Sequence, residues 1–228
     1  MTPARLPPPS APQIPDPWRA RSICFSVPLE AGHRVLVVGP WPSVSRSARL
    51  AGAEVLSADI RAAEPVDRDG EATAVITGGR LPVPDGAMDH VLLPQLTPPL
   101  LPLAAAELAR VLRPGGWLFL GAPAVWRSGS RRSALLVRRG RALLERCGFV
   151  DVREYGIAPS LAVPRHLVPL ASPVALRWYA RSGFAPTSRY AAAVRWSLVR
   201  LGQRDLLLLL FPALGWTARR PPGGADPA

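Results

Sequence analysis

Lysine is absent from the 228-residue chain, so all 28 of its basic residues are arginines. They exceed the 16 acidic residues and give a formal net charge of +12. The excess is confined to one half, because residues 1–119 carry 11 arginines and 11 acids, whereas residues 120–228 carry 17 arginines and 5 acids. This distribution excludes a uniformly basic, histone-like chain. It predicts a neutral domain with a basic flank.

Cysteine and histidine are scarce as well. The two cysteines, Cys24 and Cys147, are too few for a disulfide scaffold. The three histidines, which are His33, His90 and His166, stand far apart and form no zinc pattern. We therefore expect reduced, structural thiols in a cytoplasmic protein and no metal.

A long hydrophobic run is also lacking. The longest, residues 206–216, has about half of the roughly 20 residues that a transmembrane helix needs. The proline-rich N-terminus contains no apolar stretch typical of a secretory signal. We expect neither a membrane span nor a signal peptide, while a helix lying on a membrane surface stays compatible with the composition.

Proline divides the chain. Eight prolines fall within residues 1–28, and such a segment cannot form a regular helix or a central strand. We predict a disordered arm over residues 1–28, a core over 29–164, a basic and partly helical extension over 165–216, and a disordered tail over 217–228.

Within the core, apolar runs typical of buried strands alternate with helical patterns. This alternation predicts an α/β fold with a Rossmann-like, doubly wound and mostly parallel sheet. The predicted strands are Arg34–Val38, Glu54–Ser57, Ala72–Ile76, His90–Leu93, Trp117–Gly121 and Phe149–Tyr155, and the predicted helices are Ser43–Ala51, Leu103–Leu112 and Ser133–Cys147.

Two positions after the first strands indicate a nucleotide site. Gly39 follows the first strand, and Asp59 follows the second, 20 residues later. Ligands of open α/β sheets bind at the carboxyl ends of the strands, where an acidic side chain can accept both hydroxyls of a ribose. A solvated turn is the alternative interpretation of Asp59.

Three later segments resemble class I S-adenosylmethionine-dependent methyltransferases of the type 11 kind. Residues 81–89, LPVPDGAMD, resemble that family's LPFPDGSFD segment. Residues 109–116, ARVLRPGG, look like its turn before the fifth strand, and residues 144–149, LERCGF, are similar to its entry into the sixth. The resemblance covers roughly residues 33–158. It implies S-adenosylmethionine as cofactor and a seven-stranded sheet whose last, antiparallel strand lies near Ile157 or just beyond.

The family's glycine-rich cofactor loop is degenerate in this chain. Gly39 keeps the first glycine, but Trp41 and Ser43 replace the second and third, and Val37 replaces the preceding acid. The Trp41 ring either stacks on the cofactor or plugs the pocket. The resemblance assigns the following residues to the cofactor site: Val38, Gly39, Pro40, Trp41, Asp59, Ile60, Thr77 and Leu93.

These features predict methyl transfer from S-adenosylmethionine to a small-molecule or lipid-associated acceptor. The alternative is a catalytically inactive methyltransferase-like binding protein that acts at an anionic membrane surface or on nucleic acid. We assign no catalytic residue, although Gln95 could orient the acceptor. Tyr155 and His166 are candidate bases only if the C-terminal segment folds over the pocket.

The basic stretches, residues 127–141 and 165–220, allow three interpretations, which are a solvated face, an anionic membrane surface and nucleic acid. Their aliphatic content ranks the membrane, and hence a peripheral location, above nucleic acid.

Overall fold

The computed structural model describes residues 21–24, 26–59, 73–75, 80–96, 105–123, 140–162, 164–179 and 211–223. Its strands are β1 (Arg34–Val38), β2 (Glu54–Asp59), β3 (Thr73–Val75), β4 (Met88–Leu93), β5 (Leu112–Pro123), β6 (Val150–Pro159), β7 (Pro164–Pro169) and β8 (Ala213–Arg219). Its helices are α1 (Arg21–Cys24), α2 (Pro42–Leu50), α3 (Ala105–Val111), α4 (residues 140–146) and α5 (Pro173–Trp178).

All eight strands form one sheet in the order β3-β2-β1-β4-β5-β8-β6-β7. Neighbours from β3 to β5 pair in parallel, whereas β8 is antiparallel to both β5 and β6, and β7 is antiparallel to β6. Strands β1 to β6 therefore run in one direction. We call the side where they end the C-terminal edge and the side where they start the N-terminal edge. The predicted Rossmann-like architecture is present, as a mixed sheet with four parallel and three antiparallel pairs.

The structure has two antiparallel strands where one was predicted near Ile157 or just beyond. Ile157 itself lies in β6, β7 follows just beyond it, and the second antiparallel strand, β8, comes much later in the chain and is inserted between β5 and β6. Because β8 is central, both of its faces are covered, and six of its seven residues are buried. Its sequence is therefore a continuous apolar run without alternation. Periodicity alone does not distinguish such a run from a buried helical segment, which is why it was predicted as the end of the partly helical extension.

Two predicted boundaries also need correction. The core was predicted to end at residue 164, which is the first residue of β7, and the tail to begin at residue 217, inside β8. Residues 217–219 are thus part of the sheet and not of a disordered tail. Strand β7 is one more than the seven expected, and its prolines at both ends suit a strand at the rim of a sheet.

Alternate strand residues supply two apolar clusters, one on each face of the sheet. Leu36 and Val38 belong to the cluster under α3 and α4, whereas Val35 and Val37 belong to the cluster under α1 and α2. Ile23 of α1 is fully buried in the second cluster, so the end of the predicted N-terminal arm joins the core. Residues 1–20 lie outside the described part of the chain.

The β6–β7 hairpin reaches over the C-terminal edge. Its turn residue Leu161 is buried together with Leu92 of β4 and Phe119 of β5, and β7 contacts α1. The hairpin and α1 therefore lie next to the ends of the central strands. None of the helices in the described ranges is long and apolar enough to cross a membrane.

Candidate functional site

The ends of β1 and β2 bring two predicted site residues together. Val38 pairs with Ala58, and the Gly39 N–H donates to the Ala58 carbonyl at 2.7 Å. Asp59 is the next residue of β2. Gly39 has a φ of +99°, a left-handed conformation that favours glycine. The backbone thus places Gly39 and Asp59 side by side at the C-terminal edge.

Leu93 completes the group from the other side of β1. It ends β4, one residue beyond the register pair of Val37 with Leu92, so it lies beside Val38. Both are fully buried. The predicted residues Ile60 and Thr77 lie outside the described part of the chain.

The Trp41 indole lies against Gly39. A Cβ added at Gly39 would meet indole Cδ1 at 3.2 Å and Nε1 at 3.4 Å, and no other atom of the described residues within 4 Å. The ring is partly buried and packs on the cluster beneath α1 and α2. Among the described residues, the indole therefore covers the side of Gly39 where a side chain would lie.

The loop that follows β1 has few free hydrogen-bond donors. Pro40 and Pro42 have no N–H. The Trp41 N–H donates to the Gly39 carbonyl at 2.9 Å, and the N–H groups of Val44 and Ser45 donate to the Trp41 carbonyl at 3.0 and 3.1 Å.

Within residues 39–45, three hydrogen-bond donors are therefore without a partner in the described chain. They are the indole Nε1–H of Trp41 and the backbone N–H and hydroxyl of Ser43.

The motifs behind the family resemblance lie at the opposite, N-terminal edge. Arg110 donates to the carbonyls of Leu81 at 3.1 Å and Val83 at 2.9 Å, and it pairs with Glu107 at 2.6 Å and with Asp85. The hydrogen bond from Arg110 holds the pKa of Glu107 below its ordinary value. One arginine of the ARVLRPGG segment thus fixes the LPVPDG segment, and its role there is structural.

Asp89, the last residue of the same motif, joins the starts of three strands. Its carboxylate accepts the Arg34 N–H at 2.6 Å and pairs with Arg113 Nε at 2.7 Å. Arg34 begins β1, and Arg113 lies in β5, so the carboxylate links both strands to β4.

The neighbouring His90 contacts His33, with Nε2 and Nδ1 3.0 Å apart. Because His33 Nδ1 also accepts the Glu30 N–H, we assign the shared proton to His90 Nε2. Burial, together with the nearby His33, lowers the pKa of His90 from 6.5 to about 4.

The three candidates for acceptor chemistry are spread over the sheet. Gln95 is partly exposed in the loop after β4, which the Leu96 N–H holds to the Gly121 carbonyl at 2.8 Å. Tyr155 pairs with Gly215 within the sheet, away from the C-terminal edge. His166 lies on β7, where its ring meets Tyr179 edge-on with 5.6 Å between centroids.

Tyr179 itself stacks on Phe211 at 5.1 Å, and burial raises its pKa. Neither ring was predicted from the sequence, because both lie outside the motifs.

A cavity of about 360 Å³ lies away from the strand ends, between α1 and the C-terminal half of α2. It is lined by Cys24, Val27, Pro28, Leu29, Ser47, Leu50 and Ala51. In the ranges that the structure describes, no group of three or more histidine, cysteine or acidic side chains could hold a metal ion.

No family model and no curated protein matches this chain. Solved structures do match it. A methyltransferase of Haloferax volcanii, in complex with the Trm112 activator, is 16% identical with a TM-score of 0.55, and the match covers 90% of each chain. The [4+2]-cyclase SpnF is 18% identical with a TM-score of 0.53, covering 90% of this chain and 80% of that one.

A phosphoethanolamine N-methyltransferase of Haemonchus contortus, solved with S-adenosylhomocysteine, is 15% identical with a TM-score of 0.54. The match covers 89% of this chain but only 52% of that one, so this chain spans about half the length of that enzyme. At these identities the likeness shows the fold, which is that of S-adenosylmethionine-dependent methyltransferases. The cyclase among the matches illustrates that the fold alone does not determine the reaction.

Proposed function

We propose that this chain binds S-adenosylmethionine at the C-terminal edge and transfers its methyl group to a small-molecule acceptor. The observation that carries the proposal is the junction of β1 and β2. There the left-handed Gly39 is hydrogen-bonded to Ala58, directly beside Asp59, at the centre of a sheet with the methyltransferase strand order. We also propose membership of the type 11 group and a cytoplasmic location.

The residues present fit this cofactor. A ligand that approaches the backbone at Gly39 meets the Trp41 indole there, since that ring lies where a Cβ of residue 39 would be. The Asp59 carboxylate, from its position at the end of β2, would accept the two ribose hydroxyls. Val38 and Leu93 would supply the apolar floor between the strand ends.

The cofactor supplies a methyl group already activated by its sulfonium. The chain has to align the acceptor with that group and keep water away. The loop after β4 and the turn at Leu161 lie at the right edge for this task, with Gln95 as a polar side chain able to orient the acceptor. We assign no catalytic base. The membrane and nucleic-acid hypotheses stay predictions, since most of residues 127–141 and 180–210 lie outside the described ranges.

Isothermal titration with S-adenosylmethionine tests the proposal. We expect the wild-type chain to bind and the Asp59→Ala variant to bind about tenfold more weakly or worse, because the ribose hydroxyls lose a charged acceptor. Glu54→Ala is the matched control. Glu54 is an exposed acid at the start of the same strand, on the N-terminal edge, so its removal should leave the affinity unchanged.

Two outcomes contradict parts of the proposal. A wild-type chain that gives no heat with high-micromolar cofactor does not use this site for S-adenosylmethionine. Binding without methyl transfer to any of a broad set of small acceptors would instead support the inactive binding protein.

A further inference from the structure

We infer that the side chain of Trp41 has taken over the recognition of the cofactor's carboxylate. This inference rests on the proposed binding of S-adenosylmethionine. We infer that the indole Nε1–H donates a hydrogen bond to the methionine carboxylate of the cofactor. In a glycine-rich loop, backbone N–H groups bind the anionic group instead.

The first support comes from the donors that the loop lacks. A glycine-rich loop binds anionic groups through several backbone N–H groups. Here Pro40 and Pro42 have none, and the N–H groups of Gly39 and Trp41 are already donated to the carbonyls of Ala58 and Gly39. The backbone from Gly39 to Pro42 therefore has no free N–H group that could donate to an anion. A pyrophosphate, which needs several such donors, is a poor ligand for the same reason.

The second support is the position of the indole. Its Cδ1–Nε1 side faces Gly39, with Nε1 3.4 Å from the place of a Cβ on that residue. The N–H donor is therefore at the point of the loop where a ligand would approach the backbone. Within the described residues it has no hydrogen-bond partner, and the ring is partly exposed.

The third support is the loss of the acid at the end of β1. Val37 occupies that position and is fully buried. A nearby acid would repel a carboxylate, whereas a buried valine does not. The loop thus presents the indole N–H beside Gly39 and the Ser43 hydroxyl as its second side-chain donor, and the acid that remains near it is Asp59 at the end of β2.

A matched pair of ligands tests the inference by titration calorimetry. S-adenosylmethionine and its decarboxylated form differ only by the carboxylate. We expect the wild-type chain to prefer S-adenosylmethionine by about tenfold, as a hydrogen bond to a charged group allows. Trp41→Phe keeps a ring but removes the donor. It should abolish this preference and leave the affinity for the decarboxylated ligand unchanged.

The controls separate this inference from the proposed function. Trp178→Phe changes an exposed tryptophan of α5 and should alter neither affinity. Ser43→Ala removes the other side-chain donor of the loop, and a selective loss in that variant alone would overturn the role of Trp41. Equal weakening of both ligands by Trp41→Phe would show that the ring contributes packing and would also overturn it.

Two results need no variant. If the wild-type chain binds both ligands equally, the inference is wrong, while the proposed function stands. If it binds neither, both fail. Thermal unfolding of Trp41→Phe shows whether that variant is folded. If it is not, Ser43→Ala decides, because a preference that survives in that variant supports Trp41 and a selective loss overturns it.

Discussion

The two edges of the sheet are built in opposite ways. At the N-terminal edge charged groups are closely paired, with Arg110 on Glu107 at 2.6 Å and Asp89 on Arg113 at 2.7 Å. At the C-terminal edge the loop after β1 has two prolines, one left-handed glycine and an indole donor that is without a partner in the described chain. The first arrangement stabilises the fold, and the second leaves a side-chain donor unused within the described chain.

The motifs that resemble methyltransferases lie at the edge where charged groups are paired. The most specific motifs, residues 81–89 and 109–116, are tied together by Arg110, far from the ends of β1 and β2. They therefore report the fold and say little about the reaction. The chemistry has to be judged at the other edge, where the sequence departs from the family.

The largest expected effect is a loss of stability in Arg110→Ala. This change leaves the half-buried carboxylate of Glu107 and the carbonyls of Leu81 and Val83 without their donor. We expect the free energy of unfolding to fall by about 4 kcal/mol. Urea denaturation measures it.

Arg141→Ala is the control for that change. It breaks an exposed pair with Glu145 and should cost about 0.5 kcal/mol or less. Similar losses in both variants would refute a special role of the N-terminal edge.

Acidification should have the next largest effect, through His90. Its folded pKa is about 4, below the ordinary 6.5, so the unfolded chain takes up a proton first as the pH falls. The contribution of His90 to the free energy of unfolding is therefore fully present above pH 6.5. It is lost as the pH falls from about 6.5 to 4, and the loss is about 3 kcal/mol at most. The contribution of Glu107 is complete above its ordinary pKa of 4.5 and is lost as the pH falls from there through its lowered folded pKa.

Urea denaturation at several pH values checks this slope. His90→Gln should flatten it. A slope that survives in His90→Gln would assign the acid sensitivity to other groups.

The smallest of these effects belongs to Gly39→Ala. Both Gly39 and Gly148 have a positive φ, but a Cβ would meet the indole at 3.2 Å only at Gly39. We expect Gly39→Ala to lower the free energy of unfolding by about 2 kcal/mol and Gly148→Ala by about 1 kcal/mol. Only the first should weaken binding of S-adenosylmethionine. Equal affinities in the two variants would count against a ligand at the C-terminal edge.

The sequence predicts the first half of the sheet well because each element there is defined by its own residues. The predicted first strand agrees with β1, and the predicted helices Ser43–Ala51 and Leu103–Leu112 contain most of α2 and α3. The neighbouring positions of Gly39 and Asp59 also follow, because strands that pair in parallel end at one edge.

The second half could not be predicted in the same way. The place of β8 depends on partners that lie far away in the chain, such as Leu120 and Glu154 opposite Trp216. Nothing within Ala213–Arg219 specifies that it inserts between β5 and β6. The position of the Trp41 indole is likewise a tertiary contact, so the sequence left open whether the ring stacks on the cofactor or plugs the pocket.

The central place of β8 has a consequence for how the protein is made. The ribosome synthesises β8 long after β1 to β5. This strand must then insert between β5 and β6, which have already left the exit tunnel. Until then, β5 and β6 each present an unpaired row of backbone groups, which is a template for aggregation. Two strand edges open to intermolecular pairing therefore persist throughout the synthesis of the segment between β6 and β8.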